Sequence, residues 1–180
     1  MIYLIRHGEP LAGWGVHPDP GLSELGHLQA EKTAQKLLGL NATSLVSSPM
    51  LRCQETAQHF AEALAAAPLS LEDRIAEVVT PPTVDDRQAW LRQMMSGTWD
   101  EAGEQLTGWR DAAFEYVSTL PENTAVFSHF VAINAIVSKV MESKNVRVFS
   151  PGHCSITVLK KTDAGLTVDQ LGDEGGPEIL

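Results

Sequence analysis

What most limits the folds open to this chain is a regular alternation of short apolar runs with amphipathic stretches. IYLIR at 2–6, SLVSS at 44–48, a short run near 69–71 and TAVFS at 124–128 read as strands. Between them lie segments with helical spacing. In the first, Ser23 is a suitable N-cap, Glu24 occupies the first turn, Ala30, Ala34, Leu37 and Leu38 recur on one face, and Gly39 suits the end. In the second, Ser48-Pro49 reads as an N-cap followed by proline at the first helical position. Cys53, Thr56, Ala57, Phe60 and Leu64 then share a face, and Pro68 stops the helix. Residues 108–120 and 130–142 carry two more helical patterns. SITVLKK and LTVDQLG alternate as a closing hairpin around Asp163-Ala164-Gly165. Strands alternating with helices imply an α/β fold with a largely parallel sheet.

The chain has 180 residues, of which 43% are hydrophobic, enough for a single domain spanning 1–180 with a real core. From Pro81 to about Leu106 the pattern weakens into two prolines, two tryptophans and two methionines, which reads as a helical insertion or lid. The tail GDEGGPEIL is expected to be loose. A net charge of −10 argues against nucleic acid and anionic membrane as main partners, since both need a basic face. It leaves room for a small anionic substrate, which responds to a few nearby arginines. No run approaches the roughly 18 apolar residues of a membrane span. The apolar start is too short for a signal peptide, and Cys53 and Cys154 form neither a metal-type spacing nor a disulfide framework. A reducing, cytoplasmic setting is the expectation.

In α/β sheets ligands bind beyond the carboxyl ends of the strands. That rule gathers three separate places: Arg6-His7 after the first strand, Ser48 to Arg52 after the second, and His129 after TAVFS. Two arginines beside a helix start make an anion site, because guanidinium forks match phosphate oxygens and the amides of residues 48–51 add donors. A neutral imidazole in the same place has a lone pair with which to attack phosphorus. His7 is the nucleophile on this reading. Arg6, Arg52 and His129 hold the phosphoryl oxygens, and a carboxylic acid serves the leaving group.

Arg6-His7-Gly8-Glu9, LSELGHLQA at 22–30, SSPMLRCQETA at 47–57 and VFSHF at 126–130 resemble, in order, the RHG, LTxxGxxQA, SSPxxRxxxTA and second-histidine segments of the histidine phosphatase superfamily, in the branch that includes phosphoglycerate mutases. The resemblance implies helices on both faces of the sheet and a helical lid over 81–106. It also implies a phosphomonoesterase acting on a small phosphorylated metabolite through a phosphohistidine, with no metal or other cofactor. DRIAE at 73–77 resembles the stretch that ends in the family's acid, which assigns that role to Glu77, with Glu72, Asp73 and Glu101 as other carboxylates. The alternatives are a mutase-type phosphoryl transfer, which the short chain disfavours, a phosphate-binding regulatory module, and a protein phosphohistidine phosphatase. This sequence departs from the family in three places. VVTPP follows Glu77, Phe130 replaces a glycine after the second histidine, and His153 replaces an asparagine before the last core strand.

The other conspicuous side chains have plainer readings. Trp14, Trp90, Trp99, Met94 and Met95 are expected in core or lid packing, Arg87 and Arg92 on a solvated helix face rather than at a second anionic group of the substrate, and His17, His27 and His59 at the surface. A zinc site from His7, His129 and His153 is disfavoured because the adjacent arginines would repel a dication.

Overall fold

The computed structural model of the chain describes residues 1–12, 17–65 and 69–175. Trp14 and Pro68 lie outside them. In chain order the elements are β1 (Ile2–Arg6), α1 (Glu24–Gly39), β2 (Ser44–Ser47), α2 (Leu51–Leu64), β3 (Ser70–Leu71), a 3-10 turn (Asp73–Ile75), α3 (Arg87–Ser96), α4 (Trp99–Ala102), α5 (Glu104–Thr119), β4 (Thr124–Ser128), α6 (Phe130–Val140), β5 (Ile156–Thr162) and β6 (Gly165–Gln170). The six strands form one sheet in the order β3-β2-β4-β1-β5-β6. β3, β2, β4 and β1 run parallel, and β5 and β6 close the sheet antiparallel.

Side-chain alternation along β1 divides the core. Ile2 and Leu4 face Val117 of α5 and Ile133, Ile136 and Val137 of α6. Tyr3 and Ile5 face Ala34 and Leu37 of α1 and Cys53, Ala57 and Phe60 of α2. Both faces of the sheet are therefore covered, which is why β1 and β4 are buried along their whole length. Each large side chain taken fully from water stabilises the fold by about 1.5–3 kcal/mol.

Residues 81–106 are helical in part and pack against the rest of the domain. Helix α5 begins at Glu104 rather than 108, and Leu91, Met94, Met95 and Trp99 pack with Phe130, Val131 and Ala135 of α6 in a third cluster. Trp99 donates to Ser138 Oγ at 2.8 Å. The tryptophan and methionines here are packing residues. Within α6, buried Asn134 accepts from the amides of Val148 and Phe149 and so fixes the chain leading into β5. The described part of the tail is not loose. Gly152 N–H donates to Asp173 O, Gly175 N–H to Ser150 O, and Ser150 N–H to the Glu174 carboxylate. Among the described residues no helix is long and apolar enough to cross a membrane.

Candidate active site

The alternation that divides the core also aims the residues at the end of β1. Arg6 continues the face of Ile2 and Leu4, and its guanidinium lies 5.2 Å from the ring centre of Phe130, the first residue of α6. Its Nη1 donates to Pro151 O at 2.9 Å, while its Nε is buried with no partner among the described residues. His7 continues the other face and meets Arg52 on α2. Burial lowers Arg6 to about 10, against the raising influence of Glu77.

Arg52 fixes the protonation of both imidazoles. A guanidinium only donates. Its Nε points to His7 Nε2 at 3.2 Å and its Nη2 to His129 Nδ1 at 3.1 Å, so both of those nitrogens carry lone pairs. His7 Nδ1 faces the Gly8 carbonyl at 2.8 Å, which only accepts, so the proton of His7 sits on Nδ1. His129 correspondingly carries its proton on Nε2 and donates to Ser48 Oγ at 2.8 Å. Burial, then the charges of Arg52 and Arg6, hold both rings well below the usual histidine range; His129 also lowers His7. Both are neutral at neutral pH.

Ser48 is the first surprise of the site. It does not cap a helix: α2 starts at Leu51 with Met50 at the cap position and no side-chain cap bond. Its hydroxyl instead orients His129. Nor are the amides of residues 48–51 free donors. Ser48 N–H bonds to Phe127 O, Met50 N–H to Ser48 Oγ, and Leu51 N–H to the Asp19 carboxylate at 3.0 Å. Asp19 also lies 3.7 Å from Arg52 Nη1. The helix start is already satisfied by a carboxylate, so the anion-binding capacity rests on the two arginines.

Glu77 follows the 3-10 turn and is buried. Its two oxygens accept from Val78 N–H at 2.9 Å and Val131 N–H at 3.2 Å. Burial raises its pKa, and these amides, Arg52 and Arg6 oppose the rise. The other carboxylates are engaged elsewhere: Glu72 with Arg74, and Glu101 in a capping box with Thr98. Asp73 opens the 3-10 turn and is exposed. Arg87 is exposed, as expected of a solvated helix face, and feels the charges of Glu77 and Arg52; partial burial lowers its pKa.

Two glycines from separate motifs explain how α1 is docked. A Cβ on Gly8 would stand 2.6 Å from Gly26 O, and one on Gly26 would collide with Glu9 O. The start of α1 thus packs backbone to backbone on the loop that carries His7. Gly8 N–H is in turn held by Thr56 Oγ1 at 3.0 Å. Gly26→Ala should cost about 1–3 kcal/mol of stability by forcing these backbones apart. Urea unfolding would measure it, and an unchanged midpoint would contradict the contact.

Local spacing reads Ser48 as a cap and Thr56 only as one residue of a buried helix face; the presence of both within the SSPMLRCQETA segment is the signal that ties them to the site. No local pattern marks Asp19, because its partner is 32 residues away.

A profile of the histidine phosphatase superfamily (branch 1) matches residues 2–174. The sequence is 28% identical over 166 residues to the protein named "Probable phosphoglycerate mutase GpmB" of Serratia proteamaculans, covering 78% of this chain and 74% of that one. The fold is similar to that of mycobacterial glucosyl-3-phosphoglycerate phosphatase, with a TM-score of 0.76 at 21% identity over 97% of this chain and 99% of that one. It is also similar to that of phosphoserine phosphatase from Entamoeba histolytica, solved with 3-phosphoglyceric acid, with a TM-score of 0.74 at 21% identity over 99% and 98%. With the profile match running over nearly its whole length, the chain belongs to the histidine phosphatase superfamily.

Proposed function

We propose that this chain is a metal-independent phosphatase that hydrolyses a small phosphomonoester through a phosphohistidine on His7. The observation that carries the reading is the bonding of His7: the Gly8 carbonyl holds its proton on Nδ1, which leaves the Nε2 lone pair facing Arg52 and within the field of Arg6. A phosphoryl group drawn to Arg6 and Arg52 takes over the Arg52 hydrogen bond and frees that lone pair. Nε2 attacks phosphorus, the P–O bond to the alcohol breaks, and Glu77 gives its proton to the departing oxygen. Glu77, now a carboxylate, takes a proton from water as the water oxygen attacks the phosphohistidine, which returns His7 and releases phosphate. His129 turns its Nε2–H from Ser48 to a phosphoryl oxygen as charge builds. The arginines supply the charge stabilisation that phosphoryl transfer needs and would repel a dication.

Two similar structures are named for glucosyl-3-phosphoglycerate and phosphoserine, both of which carry a carboxylate near the phosphate ester. Arg87 at the start of α3 supports the same class here, with α3 and α4 as the lid that brings it over the substrate. The curated relatives named as mutases support a second reading, in which the phosphoryl group returns to the substrate. The deciding experiment supplies 3-phosphoglycerate and a panel of other phosphomonoesters in EDTA. It follows free phosphate and the 2-isomer by phosphorus NMR, with an acid-labile phosphoenzyme trap alongside. The expected result is free phosphate and label on His7. Isomer without phosphate would favour the mutase, and turnover lost in EDTA would overturn the metal-free mechanism.

The protonation states also set the pH profile. Attack needs His7 neutral, and its lowered pKa puts the acid limb of kcat/KM below the usual histidine range. Leaving-group protonation needs Glu77 protonated, and its raised pKa lets that form persist above the usual carboxylate range. Activity should therefore fall as pH drops through the pKa of His7 and also as pH rises through that of Glu77. Glu77→Gln should remove the alkaline limb attributed to Glu77, and a limb unchanged in that variant would assign it to another group.

A further inference from the structure

The mechanism above uses two imidazoles, but the sheet topology gathers three. β2, β4 and β1 are parallel and end at this edge, whereas β5 is antiparallel to β1 and begins here. The residue after β4, the residue after β1 and a residue just before β5 therefore stand side by side: His129, His7 and His153. The His7 ring lies 5.3 Å from that of His129 on one side and 5.7 Å from that of His153 on the other. Arg52 and Ser48 serve the His129 side. On the β5 side the nearest titratable ring is His153.

We propose that His153 is a third imidazole ligand of the phosphoryl group, one that takes a proton from solution as the dianion binds. The inference rests on the phosphatase reading only in that the cluster binds phosphate.

The backbone that carries His153 is pinned. Cys154 N–H donates to Arg6 O at 3.0 Å and lies 3.3 Å from His7 O, while Thr33 Oγ1 donates to Cys154 O at 2.9 Å. These bonds hold Cys154 at a φ of 56°, a left-handed conformation unusual for a side chain with a Cβ. Arg6 Nη1 grips Pro151 O from the other side. The half-buried ring is thus built onto the same backbone as the nucleophile and does not hang from a loose rim. The titratable and charged groups around it include Arg6 and His7 at the end of β1, Cys154 beside it on its own loop, and Asp173 and Glu174 of the C-terminal segment, which bonds to Gly152 and Ser150. Burial and the Arg6 charge lower His153 to about 4, so it is neutral at neutral pH. A dianion placed against the ring reverses the local charge and favours the imidazolium. The proton comes from solvent and no bond breaks. The result is a charge-assisted hydrogen bond that exists only while phosphate is bound.

The test uses sulfate, a dianion that does not itself titrate near neutrality. Calorimetric titration at about pH 6 in two buffers of different protonation enthalpy counts the protons taken up on binding. His7 and His129 face the same anion, so the count is compared between wild type and His153→Asn. Wild type should take up about one proton more and bind sulfate about tenfold more tightly, with the gap narrowing as pH rises. A merely structural role for His153 would not change the proton count. Equal uptake in the two proteins overturns the proposal. In wild type alone, the His153 imidazole NMR signals should move to imidazolium positions on adding sulfate, and signals that stay put also overturn it. If sulfate fails to bind wild type, the anion site itself falls. If sulfate binds with the extra proton but no phosphomonoester is hydrolysed, the phosphatase reading fails while His153 as a ligand stands.

Discussion

His7→Ala is expected to lose turnover by a factor on the order of 10⁶, the scale seen when a covalent nucleophile is removed from a preorganised site. The loss should be complete in the phosphoenzyme trap, because His129, the other ring bonded to Arg52, cannot replace Nε2. His129 spends its lone pair on Arg52 and its proton on Ser48, and both bonds turn it away from attack. The variant should still fold, since the backbone of the loop is held by His7 N–H on Ser128 O and by Thr56 on Gly8 N–H. Stopped-flow phosphate release and acid-quench labelling on the folded variant are the measurements. Residual turnover within about a hundredfold of wild type would point to direct attack by water and remove His7 from the nucleophile role.

Glu77→Gln is the second large effect and separates acid catalysis from mere placement. With an alkyl phosphate the expected loss is about 10²–10⁴-fold, the usual contribution of a positioned acid. With an aryl phosphate, whose leaving group departs unprotonated, the loss in the first step should be far smaller. Equal losses on both esters would show that Glu77 holds structure instead of giving a proton. The substitution also has a structural cost that must be kept apart from the chemistry. Each oxygen of Glu77 accepts a separate amide, from Val78 and Val131. A glutamine turns one of those acceptors into a donor, so one buried N–H loses its partner, at about 1–3 kcal/mol. Thermal unfolding of the variant should register that cost, while the ratio of alkyl to aryl rates, taken on folded protein, does not depend on it.

The contrast between Ser48 and Asn134 shows where sequence reading stopped. Ser48 precedes α2 and Asn134 lies inside α6, yet both are small polar residues that bond across the fold: Ser48 to a histidine 81 residues away, Asn134 to amides 14 and 15 residues on. Propensity sees Ser-Pro and predicts a cap, because the capping bond is local. The competing partner, His129 Nε2, reaches Ser48 only after β2 and β4 have paired in register, with Ser47 opposite Phe127. The same limit explains Asp19, which fills the start of α2 from 32 residues upstream.

The sequence by itself determined the α/β class, the ends of β1 and β4, the helix faces and the residue types that converge, because each follows from local spacing and from the rule that parallel strands end at one edge. Arg6, His7, Arg52, His129 and Glu77 could be named from it, and the structure brings those five together. Only the tertiary structure decided which nitrogen of each histidine holds the proton, that the amides at the start of α2 are already bonded, that Phe130 lies under Arg6, and that His153 stands in line with His7 and His129. Those outcomes depend on hydrogen-bond partners and strand order far apart in the chain. No local pattern carries that information, since the partners become neighbours only when the sheet has formed.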